Sequence, residues 1–146
     1  MSEDNEEYNA FLDRDYDQFN DLYDEANDLF TQDQFDESLE VFADALKLIP
    51  EPKADWEETS VILSGIADIW FVKKDYQICL DALTDALQCP GADEIAHLHF
   101  RMGQAYYELK DIPNATESLY KAHILNEDIF ENESDIYFNL LIDREK

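Results

Sequence analysis

The stretch Gly103-Gln104-Ala105-Tyr106-Tyr107 is the clearest copy of a pattern that occurs three times in this sequence. It is followed by Lys110-Asp111-Ile112 and then by Ala115, Leu119 and Ala122. The middle copy reads Ala67-Asp68-Ile69-Trp70-Phe71, Lys74-Asp75-Tyr76, Cys79, Leu83 and Ala86. The first copy reads Ala26-Asn27-Asp28-Leu29-Phe30, then Phe35, Ser38, Phe42 and Ala45. Such a repeat predicts stacked structural units with an extended binding surface, and it favours a binding function over catalysis.

Apolar residues recur at steps of three and four along the whole chain, which predicts amphipathic helices. The predicted helices span residues 6–31, 35–49, 56–73, 75–89, 93–109, 112–125 and 135–145. Asp33 is the expected N-cap of the second helix, and Ser134 is the expected N-cap of the last. Pro50 and the Pro90-Gly91 pair separate the helices into three pairs.

The predicted fold is therefore all-α: a solenoid of three helix pairs within one domain of 146 residues. The pairs are expected at about 16–50, 56–90 and 93–126, followed by a C-terminal capping helix at about 134–145. Small residues such as Gly103 and Ala115 let the two helices of a pair approach closely. The aromatic residues fill the wedges between neighbouring helices.

The repeat resembles the tetratricopeptide repeat. In that family the first helix carries a small residue and an aromatic residue three positions later. The second helix carries Ala, then an aromatic residue or Leu, and then another Ala. The third copy matches best, with Gly103, Tyr106, Ala115, Leu119 and Ala122. The copies are 41 and 36 residues apart, against about 34 in the family. The resemblance covers about residues 16–126 and implies a module that binds proteins.

The chain carries 36 acidic and 10 basic residues, for a net charge of −26. Residues 1–44 hold 16 of the acidic residues and only one basic residue, Arg14. This charge argues against nucleic acid or an anionic membrane as a ligand and favours a basic protein partner. The alternative is that the acidic surface only keeps the protein soluble. The acidic N-terminus and the lack of a long apolar stretch predict a cytoplasmic protein.

No motif for catalysis stands out in the sequence. The three glycines are isolated, and no Ser or Cys lies in a nucleophile motif. Asp13, Asp15 and Asp17 open like a calcium loop, but Gln18 stands where the sharp turn needs Gly. His97 and His99 are two residues apart, so a helix would point them in different directions. We therefore expect no enzyme activity, no metal site and no cofactor.

In the family, the first helix of each pair lines an inner groove. This groove is the candidate binding surface. Aligning the copies gives nine candidate partner-binding residues: Tyr23, Asn27, Phe30, Ser64, Asp68, Phe71, Phe100, Gln104 and Tyr107. His97, as a histidine expected at the groove, is the tenth candidate. A role in binding is favoured for Asn27, Asp68 and Gln104, whereas binding and core packing are equally open for the aromatics. Family members that grip a chaperone's C-terminal carboxylate use basic and Asn side chains, and the charge of Asp68 opposes that ligand.

The tail gives a second resemblance. Ile129-Phe130-Glu131-Asn132-Glu133, followed by Tyr137-Phe138-Asn139-Leu140-Leu141, is similar to the tails of small bacterial tetratricopeptide immunity proteins. This resemblance implies an antitoxin that neutralises a basic toxin domain, for instance a nuclease. The alternative is a general adaptor that binds a basic peptide. The apolar last helix leaves open a monomer or a weak oligomer.

Overall fold

The computed structural model describes residues 3–131, 133 and 135–144, and its regular elements within that range are all helical. The α-helices are α1 (Glu3–Ala10), α2 (Tyr16–Thr31), α3 (Phe35–Leu48), α4 (Glu57–Val72), α5 (Tyr76–Ala86), α6 (Ala96–Glu108), α7 (Ile112–Leu125) and α8 (Asp135–Arg144). A π-helical turn (Phe11–Asp15) joins α1 to α2. Short 3₁₀ turns occupy Lys53–Asp55, Ala92–Glu94 and Glu127–Phe130.

The helices pack as the pairs α2–α3, α4–α5 and α6–α7, and each pair contacts the next. This arrangement confirms the predicted all-α solenoid. α8 packs mainly against α7 and the 3₁₀ turn that precedes it. The expected cap Ser134 and the expected last residue of this helix, Glu145, lie outside the described residues.

The turn inside each pair has the same backbone geometry in all three copies. Asp33, Lys74 and Lys110 are left-handed, with φ between 62° and 66°. In each copy the next residue donates its N–H to the carbonyl five residues back over 2.9 Å, as Asp75 does to Trp70. These two features are those of a Schellman motif, in which a left-handed residue ends a helix.

The expected N-cap at Asp33 is wrong, because Asp33 is the left-handed residue of its turn and α3 begins at Phe35. The cap position of α3 is Gln34, whose side chain makes no capping hydrogen bond. In the other two copies an aspartate does cap the second helix: Asp75 accepts from the Ile78 N–H over 3.2 Å, and Asp111 accepts from the Asn114 N–H over 3.3 Å. The motif therefore shifts the cap one residue beyond the predicted position.

Small residues set the distance between helices. A Cβ on Gly103 would lie 2.5 Å from Leu119 Cγ and 3.2 Å from the Ala115 carbonyl oxygen, so only glycine fits the crossing of α6 and α7. A Cβ on Gly65 would similarly lie 2.5 Å from the Phe42 ring, where α4 meets α3. In the first pair, the buried Ser38 hydroxyl donates to the Ala26 carbonyl over 2.7 Å and so ties α3 to α2.

The core is divided into three clusters that follow the repeats. The first pair and α4 share one cluster, which contains Phe42 and Ile62. The second pair and α6 share another, which contains Leu83 and Leu98. At the end of the solenoid Leu141 of α8 packs with Phe100, Leu119 and Ala122. α8 therefore buries part of the exposed face that the last repeat would otherwise leave.

Candidate functional site

The ten predicted binding residues all lie on the first helices of the pairs, α2, α4 and α6. We call the surface that these helices line the inner face. Its residues do not form one uniform groove. The part between α4 and α6 is occupied by a polar cluster, the end near α8 is covered, and the part between the start of α2 and the start of α4 is open.

The polar cluster is centred on Asp68. Its carboxylate accepts a hydrogen bond from Arg101 Nε over 2.9 Å and lies 3.1 Å from His97 Nε2. Arg101 also donates to the Gln104 side-chain oxygen over 2.8 Å, and its guanidinium carbon lies 4.3 Å from the Phe71 ring centre. Four predicted residues are thus brought together around Arg101, a residue that the repeat pattern did not indicate.

The charge of Asp68 is balanced inside the chain. Burial raises the pKa of Asp68, but the hydrogen bonds and charges of His97 and Arg101 outweigh burial and leave the pKa below its ordinary value. The carboxylate is therefore ionised and already paired with a guanidinium. Asp68 consequently cannot by itself give the inner face a preference for a cationic ligand.

The predicted residues of α2 are partly engaged in local contacts. Asn27 donates its side-chain amide to the Tyr23 carbonyl over 3.0 Å. The Phe30 ring packs edge-on against Phe35, with ring centres 5.5 Å apart. Ser64 of α4 is half-buried, as are Tyr23, Asn27 and Phe30. These residues therefore combine a packing contact with some exposed surface.

The C-terminal segment covers the third helix pair. Phe100 is only 4% exposed, and its ring packs edge-on against Phe130 and Tyr137, with ring centres 5.2 and 6.0 Å away. Tyr137 also packs edge-on against Tyr107, at 5.6 Å between ring centres. Gln104 is likewise 4% exposed. Phe100 and Gln104 are thus buried residues of the fold rather than part of an open groove.

The open part of the inner face is a groove of about 390 Å³ between α2, α4 and the loop before α6, which we call the inner groove. Tyr16, Phe19 and Tyr23 of α2 line one side, and Val61 and Ile95 lie opposite. Val61 and Ile95 are 38% and 40% exposed, so both leave apolar surface open in this groove. Only Tyr23 of these five residues was predicted as a binding residue.

A second cavity, of about 520 Å³, adjoins the inner groove. We call it the edge pocket. Both cavities are lined by Glu57, Glu58 and Pro90, so they lie side by side along these three residues. The edge pocket extends towards α1, where Tyr8 stacks on Trp56 with ring centres 4.7 Å apart. No sequence motif indicates this pocket, because its walls come from three separate segments of the chain.

Membrane spans and metal sites are both absent from the described part of the chain. Among residues 3–131, 133 and 135–144, no helix is long and apolar enough to span a membrane. The same residues contain no group of three or more His, Cys, Asp or Glu side chains that could hold a metal ion. The thiols of Cys79 and Cys89 are both free and buried, and burial raises the pKa of Cys79 to about 12.

Comparison with known proteins gives structural but not sequence relatives. No family model matches the sequence, and no curated protein matches it. The first tetratricopeptide repeat domain of Spaghetti (RPAP3), solved with the HSP90 peptide SRMEEVD, superposes with a TM-score of 0.70 at 16% identity, over 88% of this chain and 94% of that one.

Two further solved structures agree. The Yersinia enterocolitica type III secretion chaperone SycD, in complex with a peptide of the translocator YopD, gives a TM-score of 0.70 at 15% identity, over 88% of this chain and 93% of that one. The Sgt2 tetratricopeptide repeat domain from Aspergillus fumigatus gives a TM-score of 0.67 at 16% identity, over 88% of this chain and 77% of that one. At such identities the likeness establishes the fold alone. The chain therefore has the fold of a tetratricopeptide-repeat domain, as the repeated sequence pattern predicted.

Proposed function

We propose that this chain is a protein-binding module that holds a segment of a partner protein in the inner groove. The main support is the exposure of Val61 and Ile95 opposite an aromatic wall, because paired apolar surfaces of this kind become buried when a partner binds. Two structures with the same fold hold peptides, one from HSP90 and one from YopD. Their ligands belong to those proteins, but they support peptide capture as the mode of binding.

The proposed footprint covers α2, α4 and the loop before α6. In the third pair Phe100 and Gln104 are buried, and Arg101 already occupies the carboxylate of Asp68. A partner would have to displace these contacts to bind there. In the inner groove the corresponding contact is the longer hydrogen bond that the Tyr16 hydroxyl donates to Glu58 over 3.5 Å. We therefore assign Tyr23 and the neighbouring Tyr16 and Phe19 to the binding site, together with Val61 and Ile95.

The proposed partner is basic. Glu57 and Glu58 stand where the inner groove meets the edge pocket. A net charge of −26 also speeds encounter with a cationic protein and disfavours an acidic one. We thus attribute the preference for a cation to Glu57 and Glu58 rather than to Asp68.

Affinity capture with two matched variants tests the proposal. Val61 and Ile78 are aliphatic and almost equally exposed, at 38% and 39%, but only Val61 lines the inner groove. We expect Val61→Arg to abolish retention of the proteins that the unmodified chain retains at low salt, and Ile78→Arg to leave retention unchanged. Equal retention by both variants would mean that the partner binds elsewhere and would end the proposal.

A narrower proposal is that the partner is a toxin domain that the chain neutralises as an immunity protein. Its support is the acidic first third of the chain and the resemblance of the tail. In the structure, however, Phe130, Tyr137 and Leu141 of that tail pack against the third helix pair, so packing accounts for these residues equally well. The test is co-expression with the product of the adjacent gene: relief of its toxicity supports neutralisation, and no effect on growth favours the general adaptor.

A further inference from the structure

The edge pocket presents two aromatic rings in a fixed arrangement. The Trp56 ring is held edge-on by the buried Phe11, with ring centres 5.1 Å apart and an interplanar angle of 88°. Tyr8 stacks on the same indole and is 49% exposed. A volume of about 520 Å³ lies within the size range of small-ligand sites. Trp56 is half-buried and lines the pocket, so the part of its indole that remains accessible is held in a fixed position.

The same chain shows three times how it holds a cation. Arg101 lies 4.3 Å from the Phe71 ring centre and bonds to Asp68. Arg144 lies 3.8 Å from the Tyr120 ring centre and bonds to Glu117. Lys73 lies 5.7 Å from the Trp70 ring centre and bonds to Asp36. In each case an aromatic face carries the cation, and a carboxylate from another helix receives its N–H groups.

The edge pocket has both of these components but no cation of its own. Asp55, Glu57 and Glu58 line it together with Trp56, and none of the described lining residues is Lys, Arg or His. The basic residues that are nearby in sequence, Lys53 and Arg14, do not line the pocket. Lys53 donates to the Ile49 carbonyl over 2.6 Å and lies 3.5 Å from Glu51, while Arg14 pairs with Asp15 over 3.3 Å.

We infer that the edge pocket binds an arginine side chain of the partner protein. The guanidinium would stack on Trp56, the aromatic ring that binds cations best, and donate to Glu57 and Glu58. The inference rests on the proposed function, because it adds a cation subsite beside the inner groove. A bound segment would then place apolar residues between Tyr23 and Val61 and an arginine over Trp56.

The test uses a capped five-residue peptide whose only charge is one central arginine, compared with the same peptide carrying neutral citrulline. Trp56 reports binding by fluorescence in a Trp70→Phe background, since the chain has two tryptophans. The indole N–H signals of the unmodified chain in NMR spectra give the same readout without a mutation. We expect the arginine peptide to bind about tenfold more tightly than the citrulline peptide.

The matched variants carry the same change in net charge. Glu57→Gln with Glu58→Gln is expected to remove the preference for arginine, whereas Asp24→Asn with Glu25→Gln, on exposed positions of α2, is expected to keep it. The inference is overturned if the unmodified chain binds the two peptides with equal affinity. It is also overturned if both double variants lose the preference for the arginine peptide to the same extent. Neither result bears on the Val61→Arg capture experiment, so failure of the arginine site and failure of the inner groove are distinguishable.

Discussion

Asp68 Oδ1 accepts a hydrogen bond from Arg101 Nε over 2.9 Å, so an ion pair joins the second and third helix pairs across the inner face. The side chains are only 24% and 20% exposed. This shielded pair links α4 to α6, and it also removes Asp68 from competition for a ligand. The cation preference of the inner face must therefore come from other carboxylates.

Asp68→Asn should lower the free energy of unfolding by about 1–2 kcal/mol at pH 7, because a shielded charged hydrogen bond is lost. The pKa of Asp68 is lowered in the folded state, with His97 and Arg101 facing the carboxylate. The stability that its charge provides is therefore present above the ordinary Asp pKa of about 3.9 and is lost as the pH falls below it.

Urea unfolding of the two proteins between pH 7 and pH 3 measures this difference. We expect the gap between the unmodified chain and Asp68→Asn to narrow below about pH 4. Asp24→Asn, a substitution at an exposed position, serves as the control. Its free energy of unfolding should differ little from that of the unmodified chain at every pH. A gap for Asp68→Asn that stays constant down to pH 3 would contradict the ion pair.

Gly103→Ala should destabilise the fold by about 1–3 kcal/mol, because the new Cβ would lie 2.5 Å from Leu119 Cγ and force α6 and α7 apart. If packing is coupled at this crossing, the double variant Gly103→Ala with Leu119→Ala should be about as stable as the single Leu119→Ala variant. Thermal unfolding of the four proteins forms a double-mutant cycle. Additive effects of the two substitutions would show that the residues are not in contact.

Thr59→Val should stabilise the protein by about 1 kcal/mol. Thr59 is 4% exposed, and its hydroxyl has no hydrogen-bond partner among the described residues, so the isosteric valine removes an unsatisfied polar atom. Ser38→Ala is the contrasting change: the buried Ser38 hydroxyl donates to the Ala26 carbonyl, and its loss should destabilise the protein by about 1 kcal/mol. Chemical denaturation that gives the same sign for both variants would refute this explanation.

Lys110→Gly should raise stability by about 0.5 kcal/mol, because Lys110 is left-handed at φ 66° and glycine adopts that conformation without a Cβ clash. Lys110→Ala keeps the Cβ and should change stability much less. The comparison of the two melting temperatures isolates the backbone effect from the loss of the charge. A Gly variant no more stable than the Ala variant would count against the left-handed turn.

The repeat pattern was sufficient to predict the helix pairs. Small residues at Gly103 and Ala115 have a local meaning, since any larger side chain would force the helices apart. The same holds for Pro50, because a proline cannot continue the interior of a helix. The left-handed turns were missed, because two of the three use lysine where the turn would lead one to expect glycine.

The surroundings of the candidate binding residues could not be predicted from the repeat pattern, since they depend on contacts between distant segments. Arg101 neutralises Asp68 from a position 33 residues later, and nothing in the spacing of the repeat reveals that pair. Tyr137 covers Tyr107 only because α8 folds back. Trp56 was predicted only as the start of a helix, but in the structure it meets Tyr8 and Phe11 from the first segment.

Site-directed photo-crosslinking asks where on the chain the partner lies, which decides whether the inner groove is the binding site. A benzophenone side chain is placed at Asn20, an exposed residue of α2 that lines the inner groove, or at Glu40, an exposed residue of α3 that does not. Each protein is irradiated with the partner recovered by affinity capture. We expect a covalent adduct from position 20 and none from position 40. Adducts from position 40 alone would contradict binding in the inner groove.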